Sequence, residues 1–177
     1  MPELSSFKIA LNNPYIGKVE GTWIPDKKER DAAWEMSIEL VTRISMVELK
    51  PDEGLLREAL SSLYTLFRTT REILRKYGPA VAKPKRKGNI SFGYLAIIIL
   101  NRAIRPVLAK WHPSLLDYES KRESSLSPLE HEKRWDKYEE LRKELNGLRS
   151  VLIDYGDILS KVAKVPSLHI TDKFPNA

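Results

Sequence analysis

At 177 residues with no cysteine, the chain is near the size of one domain, and disulfides, thiolate metal sites and cysteine nucleophiles are excluded together. Its 42% hydrophobic content argues against bulk disorder, and the longest apolar run, Tyr94 to Leu100, falls well short of the roughly 20 residues that span a bilayer. The formal net charge is +6, yet Arg68 to Lys110 alone holds eleven Lys or Arg against one acid, Glu72, so the rest of the chain is net acidic.

The opening MPELSSFKIALNNP has no basic start leading into an apolar run, and the expectation is a soluble, cytoplasmic protein without a secretory signal or a membrane partner. Residues 1–25 hold three prolines and two runs with partial two-residue alternation, FKIAL and IGKVEGTWI. They predict an extended arm able to form a short hairpin.

A helix is predicted over 26–49. Asp26 can cap it while Glu29 reaches back, and Pro51 follows its end. Asp31, Glu35, Glu39 and Arg43 form a polar stripe, leaving Ala33, Trp34, Ile38, Val41, Ile44 and Val47 as the expected buried side. A second helix is predicted over 52–77, stopped by Gly78 and Pro79. Leu56, Leu60, Leu63, Phe67, Thr70, Leu74 and Tyr77 alternate four and three apart along it, the seam of a helix packed on near-parallel neighbours.

PAVAKPKRKGN, residues 79–89, combines two prolines and a glycine with four cations and predicts an exposed loop. The third helix, 91–119, carries FGYLAIIILNRAI, apolar almost all round, and is expected to be the most buried element. Pro106 and Pro113 predict a kink or break in its second half. Ser127, Pro128 and Glu130 announce a last helix over 127–164, which would be about 55 Å long. Its seam is Tyr138, Leu141, Leu145, Leu148, Leu152, Tyr155, Leu159 and Val162, and residues 165–177 read as an irregular tail. The whole predicts an all-α antiparallel four-helix bundle whose long fourth helix overhangs the rest.

In such a bundle the loop projects from one pole, and Tyr64, Arg68, Arg71 and Arg75 run down one side from it, with Arg102 and Arg105 at a similar level on the third helix. The anion-binding candidates are therefore Arg68, Arg71, Arg75, Lys83, Lys85, Arg86, Lys87 and Arg102. Pairing of Arg102 and Arg105 with Glu35 and Glu39 would remove two cations from this ridge. Trp23, Trp111, Trp135 and Tyr155 are the interface candidates; aromatic side chains at helical spacing also commonly fill cores.

Arg105 and His112, in RPVLAKWH, are separated by six residues, which resembles the Arg, four to six residues, His motif of the HEPN ribonucleases, small helical bundles that commonly dimerise. The resemblance covers eight residues. It implies metal-independent RNA cleavage, with His112 as acid/base and Arg105 stabilising the phosphate. No Glu-x-x-His pair supplies a di-metal site, and the chain has no phosphate loop, GxSxG or HExxH, so no cofactor or metal is expected.

The expected function is a non-catalytic interaction module docking a protein partner or a second copy of itself through helix-face anchors, with the basic ridge receiving an acidic partner. The alternative is a nucleic-acid-binding protein that contacts backbone phosphates. The HEPN-like ribonuclease is a further alternative.

Overall fold

A computed structural model describes residues 5–168, the side chain of Ile44 excepted. The chain is mostly helical with one small two-stranded antiparallel sheet. Most of the predicted tail, from residue 169 onward, and the first four residues of the predicted arm lie outside the described residues.

The N-terminal segment is a hairpin of β1, Phe7–Asn13, and β2, Gly17–Trp23, in a register that pairs Phe7 with Trp23 and Asn13 with Gly17. Its turn is held locally: Asn13 Oδ1 accepts bonds from the N–H groups of Tyr15 and Ile16, both at 3.0 Å. Ile9, Leu11, Val19 and Trp23 alternate onto the inner face and enter the core. The sheet is thus part of the body of the molecule, and the fold is not purely α. The end of β2 continues onto a later segment, where Ile90 N–H donates to Thr22 O at 2.9 Å. A Cβ at Gly21 would lie 2.9 Å from the Ile90 side chain, so glycine permits that approach.

Helix α1, Lys27–Val41, opens with the expected reciprocal cap: Asp26 Oδ1 accepts from Glu29 N–H at 3.0 Å and Glu29 Oε2 accepts from Asp26 N–H at 3.3 Å. It stops short of the predicted 49. The Thr42 hydroxyl donates to Ile38 O at 2.8 Å, and Arg43 leaves the helical path to bond Thr65 and Thr69 of the next helix. The buried face is Glu29, Ala32, Ala33, Met36, Ser37 and Leu40 rather than the stripe through Trp34, Ile38 and Val47, all three of which are exposed. Its small residues let α1 lie against the last helix, where Gly156 and Ser160 are buried in turn.

Helix α2 is Leu56–Tyr77, four residues shorter than the predicted 52–77. Asp52 and Gly54 both take positive φ, 70° and 69°, so the chain turns before the helix can start. Leu55 supplies no side-chain cap; the carboxylate of Glu132 does, accepting from Leu56 N–H at 2.9 Å and Arg57 N–H at 3.2 Å. That cap comes from 76 residues away and is invisible to local pattern reading.

A short 3-10 turn, Pro79–Ala82, buries Val81, and residues 83–88 form the exposed basic loop. The next helix runs unbroken from Phe92 to Glu119: α3 is Phe92–Ile98, a wide π-helical stretch spans Ile99–Ile104, and α4 is Arg105–Glu119. Of the kink or break expected at Pro106 and Pro113, no break occurs. A proline inside an α-helix presses on the carbonyl four residues back and removes a bond there. Here the turn just before it is already widened, with Arg105 N–H donating to Leu100 O, five residues back. Pro113 sits within α4. By length and composition Phe92–Glu119 could cross a membrane, but 61% of its most apolar window is buried inside this fold.

The predicted helix 127–164 is two helices. Helix α5, Pro128–Lys133, carries the expected Ser127–Glu130 cap but ends after six residues, and α6 is Tyr138–Ala163. Between them Trp135 N–H donates to Glu132 O and Tyr138 N–H to Trp135 O, tight three-residue turns that swing Trp135 onto Trp111 and Tyr118. At 26 residues, α6 is about 39 Å long. Every residue of its predicted seam is buried, so no bare apolar overhang remains.

Candidate functional site

Helices α2 and α4 pack side by side, and their outer faces bring the predicted cations together. All eleven Lys or Arg between 68 and 110 lie on the surface. Four of them have acidic partners: Arg68 with Glu72, Lys76 with Glu35, Lys85 with Asp26, and Lys110 with Glu140 and Glu144. The Arg68 pair is long, 3.7 Å, and exposed, so water screens it. Among the described residues, Arg71, Arg75, Lys83, Arg86, Lys87, Arg102 and Arg105 have no acidic partner. Of the anion-binding candidates, Lys85 is thus a structural tether, and Arg68 is weakly engaged.

The pairing with Glu35 and Glu39 that would have removed Arg102 and Arg105 from the ridge does not form, and both side chains are exposed. Glu39 takes Arg43 at 2.7 Å, and Glu35 takes Lys76 and Tyr77. Burial pushes the Glu35 carboxyl up, but those two bonds outweigh it and hold the group below the usual carboxylate range. Lys110, on the same helix as Arg105, is held above the usual lysine range, chiefly by its bond to Glu140. The acids of α1 and α6 therefore quench the cations at the edges of the basic surface and leave its middle charged.

In that middle lies an open cleft of about 320 Å³ lined by Tyr64, Phe67 and Arg71 of α2 and by Arg105, Leu108, Ala109 and His112 of α4. Its two guanidinium groups are held in one specific way. Arg71 Nε donates to Phe67 O at 3.1 Å, and Arg105 Nε donates to Asn101 Oδ1 at 3.0 Å. Arg105 also lies over the Phe67 ring, 5.0 Å from its centroid. Each arginine is thus fixed through its inner nitrogen, while the terminal nitrogens, the two that can grip an oxyanion as a fork, have no acidic partner among the described residues. The Tyr64 ring, 62% exposed, stands between Phe67 at 6.5 Å and His112 at 6.0 Å. The cleft therefore sets two guanidinium groups beside an exposed aromatic ring.

The four aromatic interface candidates are elsewhere. Trp23, Trp111, Trp135 and Tyr155 are all buried, so they are core side chains and not a docking edge. The Trp23 indole N–H donates to Glu29 Oε1 at 3.0 Å, and that of Trp111 donates to Glu144 Oε2 at 2.6 Å. Trp135 is wedged against Trp111, and Tyr155 sits in the α6 seam with burial pushing its hydroxyl well up. Indole and phenol groups read alike in sequence whether they face in or out, so spacing alone leaves core and interface both open; for Tyr155 the predicted seam already pointed inward. Sequence reading also put Phe67 in the buried seam, where it is only half-buried and supports Arg105.

Arg105 and His112 do line one cleft, as the RPVLAKWH spacing requires of a working pair. Among the described residues no cluster of three or more His, Asp or Glu is arranged to hold a metal ion. Comparison with protein-family models, with curated proteins and with solved structures finds no match to this chain.

Proposed function

We propose that the protein binds nucleic acid through its phosphate backbone, using the α2–α4 face and the 83–88 loop, on a body that is an antiparallel four-helix bundle of α1, α2, the Phe92–Glu119 helix and α6. The bundle reading is supported by α1 packing on α6 and on α2, and by α2 packing on α4. The functional reading is carried by one observation: two cleft arginines, each anchored through Nε, sit among further cations that have no acidic partner among the described residues. A polyanion that displaces condensed counterions is the ligand such a surface suits. The rival reading, docking of a helical partner, drew on an apolar overhang and an aromatic edge, and those side chains are in the core.

The test is titration of labelled RNA and DNA across a range of salt concentrations. The triple variant Lys83→Ala, Arg86→Ala, Lys87→Ala spares Lys85 and its tether to Asp26. It should make the slope of log K against log salt shallower by about 2, for three lost contacts to a single strand. An unchanged slope, or no binding by the wild-type protein at low salt, would refute the proposal.

A second reading, metal-independent RNA cleavage, is favoured by the presence of Arg105 and His112 in the same cleft. There His112 would exchange protons and Arg105 would stabilise the charged phosphate. It requires RNA cleavage in the presence of a chelator that falls at least about a hundredfold in His112→Ala. Cleavage undiminished in that variant would sink it.

A further inference from the structure

We infer that the α2–α4 cleft is a seat for one unpaired nucleotide of a single strand, with the base stacked on Tyr64 and the adjoining phosphate held by Arg71 and Arg105. The inference rests on the phosphate-binding reading and adds to it a strand preference and a base contact.

Three observations carry it. First, Tyr64 is an exposed ring on a helix that buries most of its other large apolar side chains, and among the described residues no ring stacks parallel on it. Phe67 meets it at an interplanar angle of 45° and His112 at 57°, both tilted, and at 62% exposure most of the residue remains accessible to a ligand. A base has a flat face of the right kind, and along a strand an unpaired base presents it, because inside a duplex each face is covered by the next pair. Second, the cations stand beside that ring in the same cleft. Arg71 and Arg105 line its walls together with Tyr64, and their anchored guanidinium groups present terminal nitrogens to a phosphate next to the stacked base. A cleft of about 320 Å³ is at the small end of ligand pockets, the scale of one small ligand.

Third, the positive surface continues past the cleft. Arg75 lies one turn further along α2, Arg102 one turn back along the facing helix, and Lys83, Arg86 and Lys87 beyond them in the loop. A free mononucleotide would leave that track unused, whereas a strand would follow it. A second copy of this chain suits the face poorly, since the same unpaired cations would be brought against one another.

The experiment compares the wild-type protein with Tyr64→Ala and Tyr64→Phe by fluorescence anisotropy at low salt, using a short oligouridine, the same oligomer with abasic positions, and a blunt RNA duplex. Tyr64→Ala should weaken oligouridine binding about fivefold or more, Tyr64→Phe should restore it, and neither should alter binding of the abasic strand or the duplex. Because Tyr64 is exposed, thermal melting of both variants should match the wild type, which separates loss of contact from loss of fold. Equal weakening of all three ligands by Tyr64→Ala, or no weakening of oligouridine, would overturn the base seat while leaving phosphate binding intact. Uridine monophosphate that displaces the oligomer at matched nucleotide concentration would overturn the strand assignment. Absence of binding to any of the three would remove the phosphate reading and the seat together.

Discussion

Glu29→Ala should lower folding stability by about 3–5 kcal/mol, because it leaves two buried donors without an acceptor and removes a helix cap at the same time. Glu29 is only 1% exposed. Its Oε1 accepts from the indole N–H of Trp23 at 3.0 Å and from Phe92 N–H at 3.1 Å, while Oε2 closes the cap on Asp26. Lys85 Nζ, from the basic loop, stands 3.9 Å from that second oxygen. One carboxylate thus joins the hairpin, the start of α1 and the start of α3. Burial is the largest influence on its titration and, against the donated bonds and Lys85, leaves its pKa above the usual glutamate value.

The raised folded-state pKa fixes the sign of the pH effect. At a pH between the unfolded value of about 4.3 and the folded value, the native state holds this proton more often than the unfolded chain does. The contribution is fully present below the unfolded value and is lost as pH rises through the folded one. The stability gap between wild type and Glu29→Ala should therefore widen as pH falls from neutrality through that window. Chemical denaturation at several pH values reads both effects. A loss below about 1 kcal/mol at neutral pH would contradict the picture of Trp23 and Phe92 as dependent on this acceptor.

Arg71→Ala combined with Arg105→Ala should reduce affinity for single-stranded RNA about a hundredfold, at roughly tenfold for each charge-assisted contact. The corresponding lysine pair should not restore it. Lysine has neither the Nε–H that anchors Arg71 on Phe67 O and Arg105 on Asn101 nor a planar fork for the phosphate. Both side chains are exposed, and the fold loses two solvent-exposed hydrogen bonds and one cation–π contact at Phe67, so stability should change by only about 1 kcal/mol. Full rescue by lysine would show that net charge, and not the held geometry, recruits the ligand.

Local signals gave good returns in this chain. The Asp26 and Ser127 caps are each complete within four residues, and both form. The α6 seam repeats often enough that its buried face follows from spacing alone. Helix ends set by distant groups were out of reach. The start of α2 depends on Glu132, the end of α1 on Arg43 reaching Thr69, and the break before α6 on Trp135 finding Trp111 and Tyr118. The site divides in the same way. A stretch of eleven cations against one acid marks the region in the bare sequence. Which of them stay unquenched depends on where Asp26, Glu35, Glu140 and Glu144 fall once the helices assemble, and no spacing rule supplies that.

The widened stretch at 99–104 has a geometric effect on everything after it. Relative to a regular α-helix, one extra residue in a turn advances the azimuth of each later side chain by about 100°. Arg105 and His112 come after that step, and Tyr94 and Phe92 before it. The same rod therefore works in two phases: its first half starts with the Phe92 N–H donating to the Glu29 carboxylate, and its second half turns a guanidinium and an imidazole toward α2. Excising a single residue there would leave the helix continuous while swinging Arg105 and His112 about a quarter-turn out of the cleft, so that one backbone irregularity holds the two halves of the molecule's chemistry in phase.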